Sequence, residues 1–166
     1  MGEGWPLSTP RLLIRSVSAA DLPALYDLAT APATARMLFV FSPGMDGADF
    51  AAHFPIDRHT PPFRAAITQA GRVIGSIGVG PGDVPPVYYF LSPDAGGQGL
   101  ATEALSAFAD WLARSHGLTR LSAEVFQDNP ASRKVLKRNG FRVTDDLPLI
   151  SAGRDAPAPG WRMQRG

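Results

Sequence analysis

The stretch Gly96-Gly97-Gln98-Gly99-Leu100-Ala101-Thr102-Glu103 decides the fold. Upstream of it, residues 87–91 (Val-Tyr-Tyr-Phe-Leu) are branched and aromatic, the composition of a short buried strand. Downstream, Leu100, Ala104, Leu105, Phe108, Trp111 and Leu112 recur at helical spacing. A long helix is therefore predicted over 99–116, with Gly117 at the position that ends it. Strand, glycine loop, helix is an arrangement that holds anions. Glycines let successive backbone N–H groups turn toward a bound phosphate, and the helix N-terminus adds unpaired donors and partial positive charge. A glycine turn that merely opens a helix reads the same way from these residues alone. Two other phosphate motifs are excluded. There is no lysine between Arg72 and Arg120, so no Walker loop is present. A dinucleotide G-x-G-x-x-G fails because Thr102 stands where the last glycine belongs and the loop follows the fourth strand rather than the first.

Working outward, a strand is expected over 11–17 and a helix over 19–29, introduced by Ser18 with Asp21 three residues on and stopped by Pro32. Residues 32–62 are broken by prolines into short helical turns at 33–38 and 46–54. Within them, Met37-Leu38-Phe39-Val40-Phe41 reads equally as core or as pocket wall. Residues 63–69 and 72–79 form a hairpin about Ala70-Gly71. Past the long helix, 118–126 alternates as a strand, with Ser122, Glu124 and Phe126 opposite Leu121, Ala123 and Val125. Asn129 then caps a helix whose first residue is Pro130. Strands are expected again at 141–143 and 161–164, separated by a Pro/Gly-rich loop. The result is one α/β domain over 1–166, and its strand–helix–strand unit demands locally parallel pairing.

Composition narrows the function. The 166 residues carry no cysteine, which excludes disulfides, thiolate metal sites and a cysteine nucleophile. Gly (17) and Pro (16) are enriched, yet 45% hydrophobic residues suffice for a packed core. A net charge of +1 gives no general attraction to nucleic acid or to an anionic membrane. No apolar run is long enough to span a bilayer, and Met1-Gly2-Glu3-Gly4-Trp5-Pro6 has no signal-peptide pattern, so a cytoplasmic protein is expected. His53, His59 and His116 lack ligand spacing, and no metal is expected.

The glycine loop and a second segment together carry a family resemblance. Gly96 to Ala101, followed by Thr102-Glu103-Ala104, resembles the acyl-CoA pyrophosphate loop of the GNAT acyltransferases, whose pattern is Gln/Arg-x-x-Gly-x-Gly/Ala. Asn129-Pro130-Ala131-Ser132, continuing to Asn139-Gly140-Phe141, resembles the family's Asn-x-x-Ser … Gly-Phe segment. With the matching element order, the chain is similar to the RimJ/RimL-like branch of that superfamily. The resemblance implies a twisted mixed sheet of six to seven strands flanked by about four helices, with strands 4 and 5 splayed around the cofactor. It implies acetyl-CoA as cosubstrate, held by the backbone of Phe90 and Leu91, by the loop residues Gly97, Gln98, Gly99, Leu100, Ala101 and Thr102, and by Asn129 and Ser132. Gly96 departs from the pattern, leaving the phosphates to backbone donors.

Proton movement is also read from the resemblance. In several GNAT N-terminal acetyltransferases a glutamate five residues before the Asn is the general base, and Glu124 stands there. Many members carry a tyrosine seven residues after the Asn as acid, but here that residue is Leu136. In the RimL-like branch the serine takes that role, which is Ser132. One of Tyr88 and Tyr89 faces the site, since neighbours on a strand point to opposite faces. The branch also carries an acid ten residues after Gly-Phe, where this chain has Ser151. The basic quartet Arg133-Lys134 and Lys137-Arg138 follows Asn129, placed to meet a cofactor phosphate. The expected function is direct acetyl transfer to a primary amine, either a peptide N-terminus or a small amine. An acyl-CoA-binding sensor or partner module on the same fold is the alternative. Residues 20–62 and 144–160 face the acceptor; their apolar character suits a peptide terminus or hydrophobic amine better than a polyamine. Dimerisation is common in the family, so a homodimer is among the assemblies implied.

Overall fold

The computed structural model describes residues 4–166, and Met1 to Glu3 lie outside it. Two antiparallel sheets make up the frame. The first has the order β1 (Leu7–Ser8), β2 (Leu13–Ser16), β3 (Phe63–Gln69), β4 (Arg72–Val79), β5 (Val87–Leu91). The second comprises β6 (Leu121–Phe126), β8 (Ala158–Arg165) and β7 (Arg142–Leu149), in that spatial order. Among the described residues the helices are α1 (Leu22–Thr30), α2 (Pro32–Ala35), α3 (Gly47–Ala52), α4 (Leu100–His116) and α5 (Pro130–Arg138).

The expected sheet of six to seven strands is thus eight strands in two sheets, and the helices number five. The extra strand, Leu7–Ser8, is two residues long and too short to show alternation; it pairs with β2 through Leu7 and Ile14. The strands expected to splay are consequently β5 and β6. They meet in the parallel sense at a single bridge, Pro86 to Ser122, where Ser122 N donates to Pro85 O at 3.0 Å. Beyond that bridge they part, so the predicted parallel pairing survives for one step only.

Local chemistry accounts for the elements. Ala70 and Gly71 both have positive φ, 50° and 79°, which is what a two-residue hairpin turn requires. At the entry to α1, Ser18 N donates to Asp21 Oδ2 at 2.8 Å, and Asp21 also takes two hydrogen bonds from Arg15 at 2.7 and 2.9 Å. The apolar stripe of α4 is buried as its spacing demands: Leu100, Ala104, Leu105, Phe108, Trp111 and Leu112 are each at most 1% exposed. It packs on one face of the first sheet, with Ile14, Ile67 and Ile77, and meets Leu121, Ala123 and Val125 from β6. A second core covers the opposite face, where Leu25, Phe41, Phe50 and Phe54 pack on Ala66 and Phe90. Side chains on β3 to β5 therefore serve two different interiors, and which interior is set by strand parity.

Candidate active site

Parting β5 from β6 leaves a cleft of about 950 Å³ running through the molecule. Its walls are the end of β5, the start of α4, the middle of β6, the first turns of α5 and the segment 37–41.

Strand register decides what β5 offers to the cleft. Gly80 N donates to Pro86 O at 2.8 Å and Ser92 N to Ile74 O at 2.6 Å. Ser76 lies opposite Phe90, and Gly78 opposite Tyr88. Hydrogen-bonded pairs alternate along an antiparallel ladder, so Tyr88 and Phe90 turn their backbone groups to β4 while Tyr89 and Leu91 turn theirs to the cleft. Phe90 and Leu91 both line it, but Leu91 has the free edge. The side chain of Phe90 is buried in the second core.

At one end of the cleft is the glycine loop. Gly97 and Gly99 have φ of 75° and 77°, a conformation in which a side chain is strained. Gly97, Gly99, Leu100, Ala101 and Thr102 line the cleft. Thr102 Oγ1 is buried there without a hydrogen-bond partner. Gln98 turns outward instead: its Nε2 donates to Asp94 O at 3.2 Å, and its carbonyl accepts from Arg11 Nη1 at 2.7 Å. Arg11 in turn is fixed by Glu103, which accepts from Arg11 Nε at 2.8 Å, from Arg11 N at 3.0 Å and from Thr9 Oγ1 at 2.6 Å. Burial acts against the charge of Glu103, but these hydrogen bonds outweigh it and hold the carboxyl below its usual range. A cation thus stands beside a loop whose first position, Gly96, has no side chain to contribute.

In the middle lies α5's N-terminus. Asn129 caps it as expected, its Oδ1 accepting from Ser132 N at 3.3 Å. The Ser132 hydroxyl meets the Tyr89 hydroxyl at 2.8 Å. Strand alternation left Tyr88 and Tyr89 undecided; the structure sends Tyr89 to the α5 face and Tyr88 to the opposite face, under Arg64. Burial pushes the Tyr89 phenol well above its usual pKa, only partly offset by the hydrogen bond to Ser132. Leu136, where many relatives have tyrosine, is buried core. The basic quartet divides: Lys134 and Arg138 line the cleft, while Arg133 stacks on Trp161 at 4.4 Å.

Across the gap, Glu124 lines the cleft from β6. It is exposed and touches Arg162 Nη2 at 3.4 Å through Oε2; Oε1 has no hydrogen-bond partner among the described residues. Phe126, assigned with Glu124 to a polar face, is fully buried instead, because Phe39 stacks on it at 5.4 Å and the Arg154 guanidinium covers it at 3.7 Å.

A family model described as "Acetyltransferase (GNAT) domain" matches residues 11–142. The chain belongs to the GNAT acetyltransferase family. Acetyl transfer to amines is the general chemistry of that family. Among curated proteins, "Uncharacterized N-acetyltransferase YycN" of Bacillus subtilis is 45% identical over 49 residues, a match spanning 30% of this chain and 31% of that one. Two solved structures show the breadth of the fold. Mycobacterium smegmatis RimJ in complex with CoA-disulfide is 22% identical, covers 99% of this chain and 89% of its own, and superposes with a TM-score of 0.78. Spermidine N-acetyltransferase from Vibrio cholerae, in complex with CoA and spermine, is 17% identical with 94% and 95% coverage and a TM-score of 0.78. GNAT neighbours thus bind CoA, and the cleft between β5 and β6 is where this GNAT chain brings the glycine loop, Ser132 and Glu124 to one cavity.

Proposed function

We propose that the protein is an acetyl-CoA-dependent N-acetyltransferase of the RimJ/RimL-like branch, acetylating a primary amine directly. The observation that carries this reading is the cleft itself, with a glycine loop at one end, paired hydroxyls in the middle and a carboxylate on the wall across the gap.

The cleft suits CoA chemically. Thr102 Oγ1, buried and unsatisfied, is the kind of group that a phosphate oxygen completes. The N–H groups of Gly97 through Thr102 stand at a helix N-terminus, which favours an anion. Lys134 and Arg138 add charge along the wall. The open edge of Leu91 offers backbone partners to an amide-bearing arm. When bound, acetyl-CoA supplies the activated acetyl thioester.

The chain's own residues then manage protons. Glu124 is the general base, with Oε1 free to take the proton of the acceptor ammonium. Ser132 Oγ, in the middle of the cleft, is the proton donor to the leaving thiolate. Tyr89 supports it: a phenol held protonated by burial donates toward Ser132 and frees the serine hydrogen to point into the cleft. Catalysis by a positioned acid or base is worth roughly 10²–10⁴-fold. With no cysteine in the chain, the amine itself is the nucleophile.

Leu136 in place of tyrosine and the Gly96 departure together motivate a non-catalytic binding module. Tyr89 weakens that motive, since it brings a phenol to the site from another element. Titration calorimetry with acetyl-CoA, with NAD and ATP as controls, is the first test. Micromolar binding of acetyl-CoA alone, followed by amine-dependent release of free thiol, is the expected result. Binding without thiol release from any amine would favour the module, and no binding would reduce the loop to a helix-opening turn.

A further inference from the structure

Arg64 lies on β3 and faces the second core side of the sheet, the side opposite Tyr89. Its guanidinium is packed over three rings, at 4.3 Å from the centre of Tyr88, 5.4 Å from Phe41 and 5.7 Å from Phe54. Nη1 donates to His53 O at 3.2 Å. That is its one hydrogen bond to a described residue, and no described carboxylate forms an ion pair with it. Burial costs it accordingly, holding the guanidinium below its usual pKa. A partly buried cation without a counter-ion is expensive. Its placement is nonetheless built into the sheet. Gly78 sits between Arg64 and Tyr88 on β4, and a Cβ there would fall 2.8 Å from Arg64 Cγ and 2.9 Å from the Tyr88 ring. Only glycine lets the arginine cross the strand and reach the tyrosine.

Arg64 also lines the cleft. Its Nε and Nη2 have no hydrogen-bond partner among the described residues and are not sealed from solvent, so both donors are available to a ligand. Glu124 is on the same side: with Ser122 and Phe126 it turns away from the α4 core, toward the face covered by Phe39. Among the described residues Glu124 is also the sole carboxylate lining the cleft. On this side the cleft therefore holds one carboxylate suited to an amine and one uncompensated cation set among aromatic rings.

We infer that the acceptor is an amine that also carries a carboxylate, the amine directed to Glu124 and the carboxylate paired with Arg64. This deepens, and rests on, the N-acetyltransferase reading. The aromatic rings that limit the access of water to Arg64 also raise the gain from a matching anion, and the guanidinium fork can donate two parallel hydrogen bonds to a carboxylate. A polyamine finds the wrong charge here.

Matched substrates isolate the carboxylate. Acetyl-CoA-dependent thiol release is measured with phenylalanine against phenylalaninamide, and with the dipeptide Ala-Phe against its C-terminal amide. Wild type is expected to favour at least one acid over its amide by tenfold or more in kcat/KM, and Arg64→Gln to bring that ratio close to one. Arg64→Lys, which keeps the charge but not the fork, is expected to fall between them. Should Arg64→Gln fail to fold by circular dichroism, the wild-type ratio and the lysine variant carry the test. Equal use of acid and amide by the wild type overturns this inference and leaves the N-acetyltransferase reading standing. A preference that persists in Arg64→Gln overturns it too, leaving Arg64 as packing for the aromatic cluster. If the wild type binds no acetyl-CoA and acetylates no amine, both readings fall together.

Discussion

Tyr89 and Ser132 touch hydroxyl to hydroxyl at 2.8 Å, across the line where β5 faces the first turn of α5. The two residues are 43 positions apart, and each is fixed independently, Tyr89 by sheet register and Ser132 by the Asn129 cap. If Ser132 donates the proton and Tyr89 serves only through it, their losses overlap. Ser132→Ala should lower turnover by about a hundredfold, the lower end for a positioned acid. Tyr89→Phe should cost about tenfold, the worth of one hydrogen bond of ~1–1.5 kcal/mol. The double variant should be no slower than Ser132→Ala alone, because residues in one network are not additive. Thiol-release kinetics at saturating acetyl-CoA measure all three. Multiplying losses would show that the two hydroxyls act separately.

Arg11 reaches the glycine loop from outside through Gln98 O, while Glu103, one turn into α4, holds it in place. The loop's shape is thereby tied to the turn between β1 and β2. Arg11→Ala should raise the acetyl-CoA dissociation constant about three- to tenfold, in keeping with loss of one charge-assisted hydrogen bond on a half-exposed side chain. Turnover at saturating cofactor should change little, since Arg11 is remote from Ser132 and Glu124. Calorimetry and steady-state kinetics together distinguish this from a general loss of fold, which would lower both.

The glycine loop, the Asn129 cap and the stripe of α4 were legible in the sequence because each is a local pattern: glycines before a helix, Asn-Pro at a helix start, apolar residues every three to four. What was not legible depends on partners distant in the chain. Alternation sends Tyr88 and Tyr89 to opposite faces but does not say which face holds α5. Phe126 keeps its place in the alternation yet is buried, because Phe39 and Arg154, 28 residues later, cover it. Met37 to Phe41, left open between core and pocket, turns out to be both: Phe41 is 3% exposed in the second core and also lines the cleft. Arg64 drew no notice in the sequence, since one arginine among 16 basic residues shows neither its rings nor its lack of a counter-ion.

The loop 150–157 between β7 and β8 is tied by polar contacts to residues 35–39 and to Asp128. Arg154 donates to both oxygens of Asp128 at 2.7 and 3.0 Å and to Arg36 O at 2.6 Å. Ala152 N donates to Phe39 O at 2.9 Å. Ser151, where RimL-like relatives have an acid, is buried with its hydroxyl donating to Ala35 O at 3.2 Å. The Arg154 guanidinium holds the Asp128 carboxyl below its usual range, with Arg36 adding to the effect. Asp128→Asn should loosen this tether without unfolding the protein. Hydrogen exchange at the Ala152 amide should accelerate about tenfold, and the KM for the amine should rise while acetyl-CoA affinity holds. Unchanged exchange at Ala152 would mean that the Phe39 contact alone secures the loop.

Asp21 and Arg15 form the buried counterpart of that surface tether. Asp21 is 5% exposed, and the hydrogen bonds from Arg15, aided by Ser18, hold its carboxyl below the ordinary 3.8 despite burial. A carboxyl whose folded pKa lies below its unfolded pKa stabilises the fold above the unfolded value, and that stability is lost as pH falls through the folded value. The contribution is therefore complete above about pH 5 and declines below 3.8. Asp21→Asn removes it at every pH and should cost about 2 kcal/mol at neutral pH, as expected for losing hydrogen bonds to a charged group. Urea midpoints taken between pH 3 and 7 check the sign. The wild type should lose stability toward pH 3 more steeply than Asp21→Asn, so the two curves converge in acid. Parallel curves would place the acid sensitivity in other carboxylates, with Asp21 acting only as the helix-entry cap.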